Sequence, residues 1–100
     1  MTHGKRDVHH AEIRDGLRKC GYFVHDTADL RGGFPDLLVV SKSGLVILIE
    51  VKTRYVNGVK DDLTEDELLF RACYPGQITI CYDFEEALSA MRLLDELEAQ

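Results

Sequence analysis

A chain of 100 residues holds a single domain, expected to run over 1–100 with residues 1–6 flexible, and it buries only a modest core. With 45% hydrophobic and 30% charged residues it lies well away from the disordered regime, and no stretch is apolar for long enough to span a membrane. A net charge of −6 argues against a protein that lives on non-specific phosphate attraction. The average hides a split, however: ten Lys/Arg against seven Asp/Glu in residues 1–60 (+3), and two against eleven in residues 61–100 (−9), so an acidic partner would meet the N-terminal portion.

The opening MTHGKRDVHH carries basic residues with no apolar core behind them, so it does not read as a secretory signal. From Asp7 to about Cys20 the spacing of Ile13, Leu17 and Cys20 predicts a first helix that stops at Gly21. His9 and His10 are neighbours on it and point about 100° apart, so they cannot chelate one ion together. A strand over 21–27 includes His25, read as structural, and leads into the loop ADLRGGFP. Two runs follow, Asp36–Ser41 and Leu45–Lys52. Both are apolar on both faces, as in strands covered on each side.

Next comes a polar loop, YVNGVKDDL, with its turn at Asn57-Gly58. T-E-D-E at 64–67 is a capping box that opens a second helix, and Pro75-Gly76 ends it. A strand over 77–82 precedes a last helix, opened by Asp83 with a capping box to Glu86 and striped by Phe84, Leu88, Met91 and Leu94. The order αβββαβα predicts an α/β (α+β) fold, a small central mixed sheet of about four strands flanked by helices. Cys20, Cys73 and Cys81 are odd in number and lack CxxC spacing, which suits reduced thiols of a cytoplasmic protein.

Charge at the open end of an aliphatic hairpin, away from its turn, is the informative anomaly. If Lys42, Ser43 and Gly44 form a three-residue turn, Ser41 pairs with Leu45, and the register runs outward through 40:46 and 38:48 to 36:50. Asp36 and Glu50 then project side by side, with Lys52 on the same face. Two adjacent carboxylates suit a hard divalent ion, Mg²⁺ or Mn²⁺, and Lys52 would stand by a metal-bound water. An ion pair of Lys52 with Asp36 or Glu50 at a sheet margin is the competing reading.

Pro35-Asp36 and Glu50-Val51-Lys52 resemble the active-site pattern of the PD-(D/E)XK nuclease superfamily. The chain as a whole is similar to its VRR-NUC family, the virus-type replication-repair nucleases. Glu12 falls in the first helix, R-G-G-F-P-D at 31–36, E-V-K-T at 50–53 and L-T-E-D-E at 63–67, before a final β-α unit. The resemblance implies a restriction-endonuclease-like fold and a Mg²⁺- or Mn²⁺-dependent endonuclease that hydrolyses DNA phosphodiester bonds. It also implies a preference for branched DNA such as four-way (Holliday) junctions, a homodimer, and a phage or bacterial setting in DNA repair. Asp36 and Glu50 would be metal ligands and Lys52 the catalytic lysine. The Val51 carbonyl would be a further ligand, and Glu12 the helix acid acting on the metal directly or through water, with Gly16 letting that helix approach the sheet. Where the family's helix usually carries Gln, this chain has Glu67, read here as a cap. Arg31, Arg54, Lys5, Arg6, Arg14 and Arg18 are candidate contacts to the DNA backbone. Two other readings stay open: a catalytically silent nucleic-acid-binding or assembly protein, and a restriction-type or RNA endonuclease.

Overall fold

In the computed structural model, which describes residues 4–98, helix α1 (Gly4–Lys19) leads to strands β1 (Phe23–Asp26), β2 (Leu37–Val40) and β3 (Val46–Val51). A small hairpin of β4 (Tyr55–Val56) and β5 (Val59–Lys60) follows, then α2 (Glu65–Cys73), β6 (Gln77–Cys81) and α3 (Phe84–Glu98). The flexible end expected over residues 1–6 falls outside the described residues as far as residue 3, and from Gly4 the backbone is helical. No described helix is long and apolar enough to cross a membrane.

The main sheet has the order β1-β2-β3-β6. Its first three strands form an antiparallel meander, and β6 joins parallel to β3 after a crossover that contains α2. The expected four-strand mixed sheet flanked by helices is present. The segment after Arg54, expected as a loop, is a hairpin in which Tyr55 pairs with Lys60 and Val56 with Val59. Asn57 and Gly58, both at positive φ, form its two-residue turn, the geometry that matches the twist of the flanking strands.

Period-2 alternation sorts the strands into two faces. Val24, Leu37, Val39, Ile47, Ile49, Val51 and Cys81 point to one side, where they pack with Ile13 and Leu17 of α1 and with Ala87, Leu88 and Met91 of α3. Each fully buried aliphatic side chain there contributes about 1.5–3 kcal/mol. Gly16 admits α3 and not the sheet, for a Cβ at that position would lie 2.5 Å from two Phe84 ring atoms. The other face, built from Phe23, Leu38, Val40, Val46, Leu48, Ile78 and Ile80, was expected to be covered. Leu48 is buried, but at the turn end Phe23 is 62% and Val46 42% exposed.

The Lys42–Gly44 turn is as the residues require. The Ser41 amide donates to the Leu45 carbonyl (2.7 Å), the Gly44 amide donates to the Ser41 carbonyl (3.0 Å), and Gly44 takes φ +101°. The register follows from it: Val40 opposite Val46, Leu38 opposite Leu48, Leu37 opposite Ile49.

Candidate active site

The ladder of the hairpin ends at Leu37–Ile49, and Asp36 comes next. Its amide donates to the Ile49 carbonyl (3.0 Å) and its Oδ2 accepts from the Val51 amide (2.8 Å), so Asp36 brackets Glu50. Thr27 closes the preceding loop onto this point, with its amide on the Asp36 carbonyl (2.9 Å) and its hydroxyl on the Pro35 carbonyl (2.8 Å). Lys52 continues the strand, its amide donating to the Cys81 carbonyl (3.0 Å). Asp36, Glu50 and Lys52 are all buried, at 4%, 3% and 4% exposure.

The Lys52 Nζ lies among carboxylates: 3.0 Å from Glu67 Oε1, 3.6 Å from Asp61 Oδ1 and 3.9 Å from Glu50 Oε2. Burial, the charges of Asp36 and Glu67 and a hydrogen bond to Glu67 push the Glu50 carboxyl up to about 9, so Glu50 holds a proton at neutral pH. Burial opposes charge on Lys52, yet its bond to Glu67 and the charges of Glu67, Asp61 and Glu50 outweigh that and hold its pKa above the usual lysine value. Burial likewise works against ionised Glu67, which is held below the ordinary range by the Thr64 amide, Lys52 and Glu50. The Glu50 Oε2 atom is buried and has no hydrogen-bond partner.

Glu67, expected only to cap its helix, caps it and also pairs with Lys52. Its carboxylate accepts from the Thr64 amide (2.8 Å) while the Thr64 hydroxyl accepts from its own amide (3.2 Å), and it also grips Lys52. Helix α2 buries no residue of its own. It is seated by this contact, by Phe70 edge-on to Phe34 (5.1 Å) and by the approach of the Asp66 backbone to Gly33. Asp61 escaped the sequence reading altogether. The Asn57-Gly58 signal was there to find it, since the hairpin that turn makes returns Asp61 beside Thr53, whose amide it accepts at 2.8 Å. The capping box at α3 also differs: Asp83 takes the Glu86 amide (2.9 Å), but Glu86 reaches past Asp83 to the Tyr82 amide (2.8 Å).

The Glu12 side chain is 53% exposed and lies 3.6 Å from His9 Nδ1. What the structure ties to Asp36 at Val51 is the amide, not the carbonyl. Among the described residues, no three His, Cys, Asp or Glu side chains form a group able to hold a metal ion by themselves. Of the candidate DNA contacts, Arg31 is exposed and makes no ion pair with a described residue. Arg54 is tied to Glu86 (2.9 Å) and lies 4.1 Å over the Tyr82 ring. Arg14 bonds Asp15 (2.9 Å) and Asp26 (3.0 Å), and the same Asp26 oxygen holds the buried His10 at 2.9 Å, so Arg14 fastens α1 to β1. Arg18 donates to the Val24 carbonyl (3.0 Å). The Lys5 and Arg6 side chains lie outside the described residues. Comparison with protein-family models, with curated proteins and with solved structures gives no match for this chain.

Proposed function

We propose that this chain is a Mg²⁺- or Mn²⁺-dependent DNA endonuclease of the VRR-NUC type, selective for branched DNA. The observation that carries the reading is the convergence of Asp36, Glu50 and Lys52 at one end of an otherwise aliphatic hairpin. Buried Glu50 Oε2, which lacks a hydrogen-bond partner and lies next to the charge of Asp36, fits a hard divalent ion. Two carboxylates suit Mg²⁺ in particular, which keeps several waters and takes further oxygens from phosphate. When bound, such an ion supplies Lewis acidity toward a phosphate oxygen and lowers the pKa of a bound water.

The protein's own part is positional. The Val51 amide fixes the Asp36 carboxylate, and Glu50, once ionised, would join it in holding the ion. Lys52 gives up Glu67 and orients the attacking water or stabilises charge gathering on the phosphate. The exposed apolar end of the second sheet face, around Phe23 and Val46, supports a homodimer.

A specific observation favours the silent-binder reading. Lys52 already pairs with Glu67 and lies near Asp61, so its charge is engaged by the protein's own carboxylates. Incubating labelled duplex, flap, four-way-junction and RNA substrates with Mg²⁺, Mn²⁺ or EDTA separates the readings. The nuclease cuts branched DNA in either metal and nothing in EDTA. A folded dimer that cuts none of the four is the silent binder, and preferential cutting of linear duplex or RNA moves the assignment to the other endonuclease classes.

A further inference from the structure

Beside Lys52 lies an open cleft of about 510 Å³, bounded by the foot of the β4–β5 hairpin, the start of α2 and the end of β6. Carbon lines its floor, from Leu63, Leu68, Ile80 and Tyr82. Leu68 is 55% exposed, so its side chain is open to a ligand in the cleft. The charges around the cleft cancel: Lys52 and Lys60 stand against Asp61 and Asp62, with Lys60 Nζ 3.7 Å from Asp62 Oδ1. A neutral rim over an apolar floor is a poor seat for a phosphate and a good one for a flat, uncharged aromatic ring whose edge carries donors and acceptors.

Two geometric facts tie the cleft to the site. Ile80 is the register partner of Glu50 across the parallel β3–β6 pair, so floor and carboxylate share one sheet face. Lys52 is both a wall of the cleft and the neighbour of Glu50. Tyr82 is held in place from both ends, by Arg54 over its ring and by Glu86 on its amide. A volume of this order matches pockets that take small molecules, with room for one nucleoside.

We infer that this cleft is a nucleobase subsite, which takes one unpaired base of the DNA next to the phosphate presented to Lys52. The inference rests on the nuclease reading for what Lys52 does, and it adds a source of structure selectivity. A base inside a duplex is stacked and paired, whereas a flap, gap or junction core offers a base that enters without that cost. Stacking on Tyr82 and contact with Leu68 then hold the substrate by a face every base possesses, so selectivity is for unpaired nucleotides and not for sequence.

The test compares two fluorescently labelled duplexes, one with a single-stranded thymidine tail and one whose tail is abasic, titrated in Ca²⁺ and read by anisotropy. Wild type is expected to bind the thymidine tail roughly tenfold more tightly than the abasic tail. Tyr82→Ala, which removes the ring, and Leu68→Trp, which fills the cleft from an exposed position, both abolish that preference and leave affinity for the abasic tail unchanged. Should Tyr82→Ala fail to fold, Leu68→Trp decides alone. Equal wild-type affinity for the two tails, or a folded Leu68→Trp protein that keeps the preference, overturns the inference. Cleavage of the same DNAs in Mg²⁺ is scored separately. Cutting without base preference overturns the subsite alone, and base preference without cutting overturns the nuclease reading and leaves a binding cleft.

Discussion

Replacing Glu50 by Gln stabilises the metal-free protein, and the gain grows with pH. In the folded chain the Glu50 carboxyl sits at about 9 against an ordinary 4.5, because burial and the charges of Asp36 and Glu67 penalise its ionisation. The folded state therefore binds a proton that the unfolded state has released anywhere between those values. Stability linked to Glu50 is complete below about pH 4.5 and drains away as pH rises toward 9. At pH 8 the drain spans about 3.5 pH units, an upper bound of about 5 kcal/mol at 1.36 kcal/mol per unit. Relaxation and water entry around a buried charge reduce this to about 2–3 kcal/mol. Gln is isosteric, does not titrate, and still presents an N–H donor to Glu67. Its expected advantage is thus near zero at pH 4.5 and about 10 °C in melting temperature at pH 8. Chemical denaturation of both proteins in EDTA across pH 4.5–9 measures it. A Gln variant no more stable than wild type at pH 8, or a gap that does not change with pH, refutes the electrostatic account of Glu50.

Divalent metal reverses part of that drain: Mg²⁺ or Mn²⁺ at ten times its dissociation constant adds about 1.4 kcal/mol to wild-type stability, and Asp36→Asn removes the effect in a thermal melt. Lys52→Met leaves Glu67 and Asp61 facing Glu50 without their cation, costing about 3 kcal/mol at pH 7 in urea denaturation. That stabilisation is present at neutral pH and is lost as pH climbs through the raised lysine pKa, so the difference between Lys52→Met and wild type narrows in strong alkali. Gly33→Ala sets a Cβ against the Asp66 backbone at φ +79° and pushes α2 outward. A loss of about 1–3 kcal/mol is expected, together with faster amide exchange in α2 than in β2 or β3, read by hydrogen-exchange mass spectrometry.

The hairpin that carries the site was legible because its information is local. A three-residue turn with Gly44 at its left-handed position fixes the register, and alternation then places Glu50 and Lys52 on one face. The ladder stops at Leu37–Ile49, short of the expected 36:50 pair, and the bonds of Asp36 to the Ile49 carbonyl and the Val51 amide depend on where it ends, which alternation does not encode. The capping box at Thr64 was equally local. The second role of Glu67 was not, since it depends on how closely α2 approaches the loop at Gly33. Asp61 was missed because Tyr55 to Lys60 lacks the apolar alternation that normally betrays strands, although the Asn57-Gly58 turn was visible. The second sheet face misled for a related reason: an aliphatic run reads the same whether the chain's own helices cover it or leave it open. The partners of Arg14 and Arg54, Asp26 and Glu86, were not legible, because sequence shows a charge and not what it pairs with.

The central claim is that Asp36 and Glu50 hold a divalent ion beside Lys52 for phosphodiester hydrolysis. Cleavage of a labelled four-way junction by wild type and by Asp36→Ala, matched for fold by circular dichroism and assayed in Mn²⁺, tests it most directly. The expected result is metal-dependent cutting, active in Mn²⁺ or Mg²⁺ and silent in EDTA, that Asp36→Ala abolishes. Cutting by wild type that persists undiminished in Asp36→Ala would contradict it.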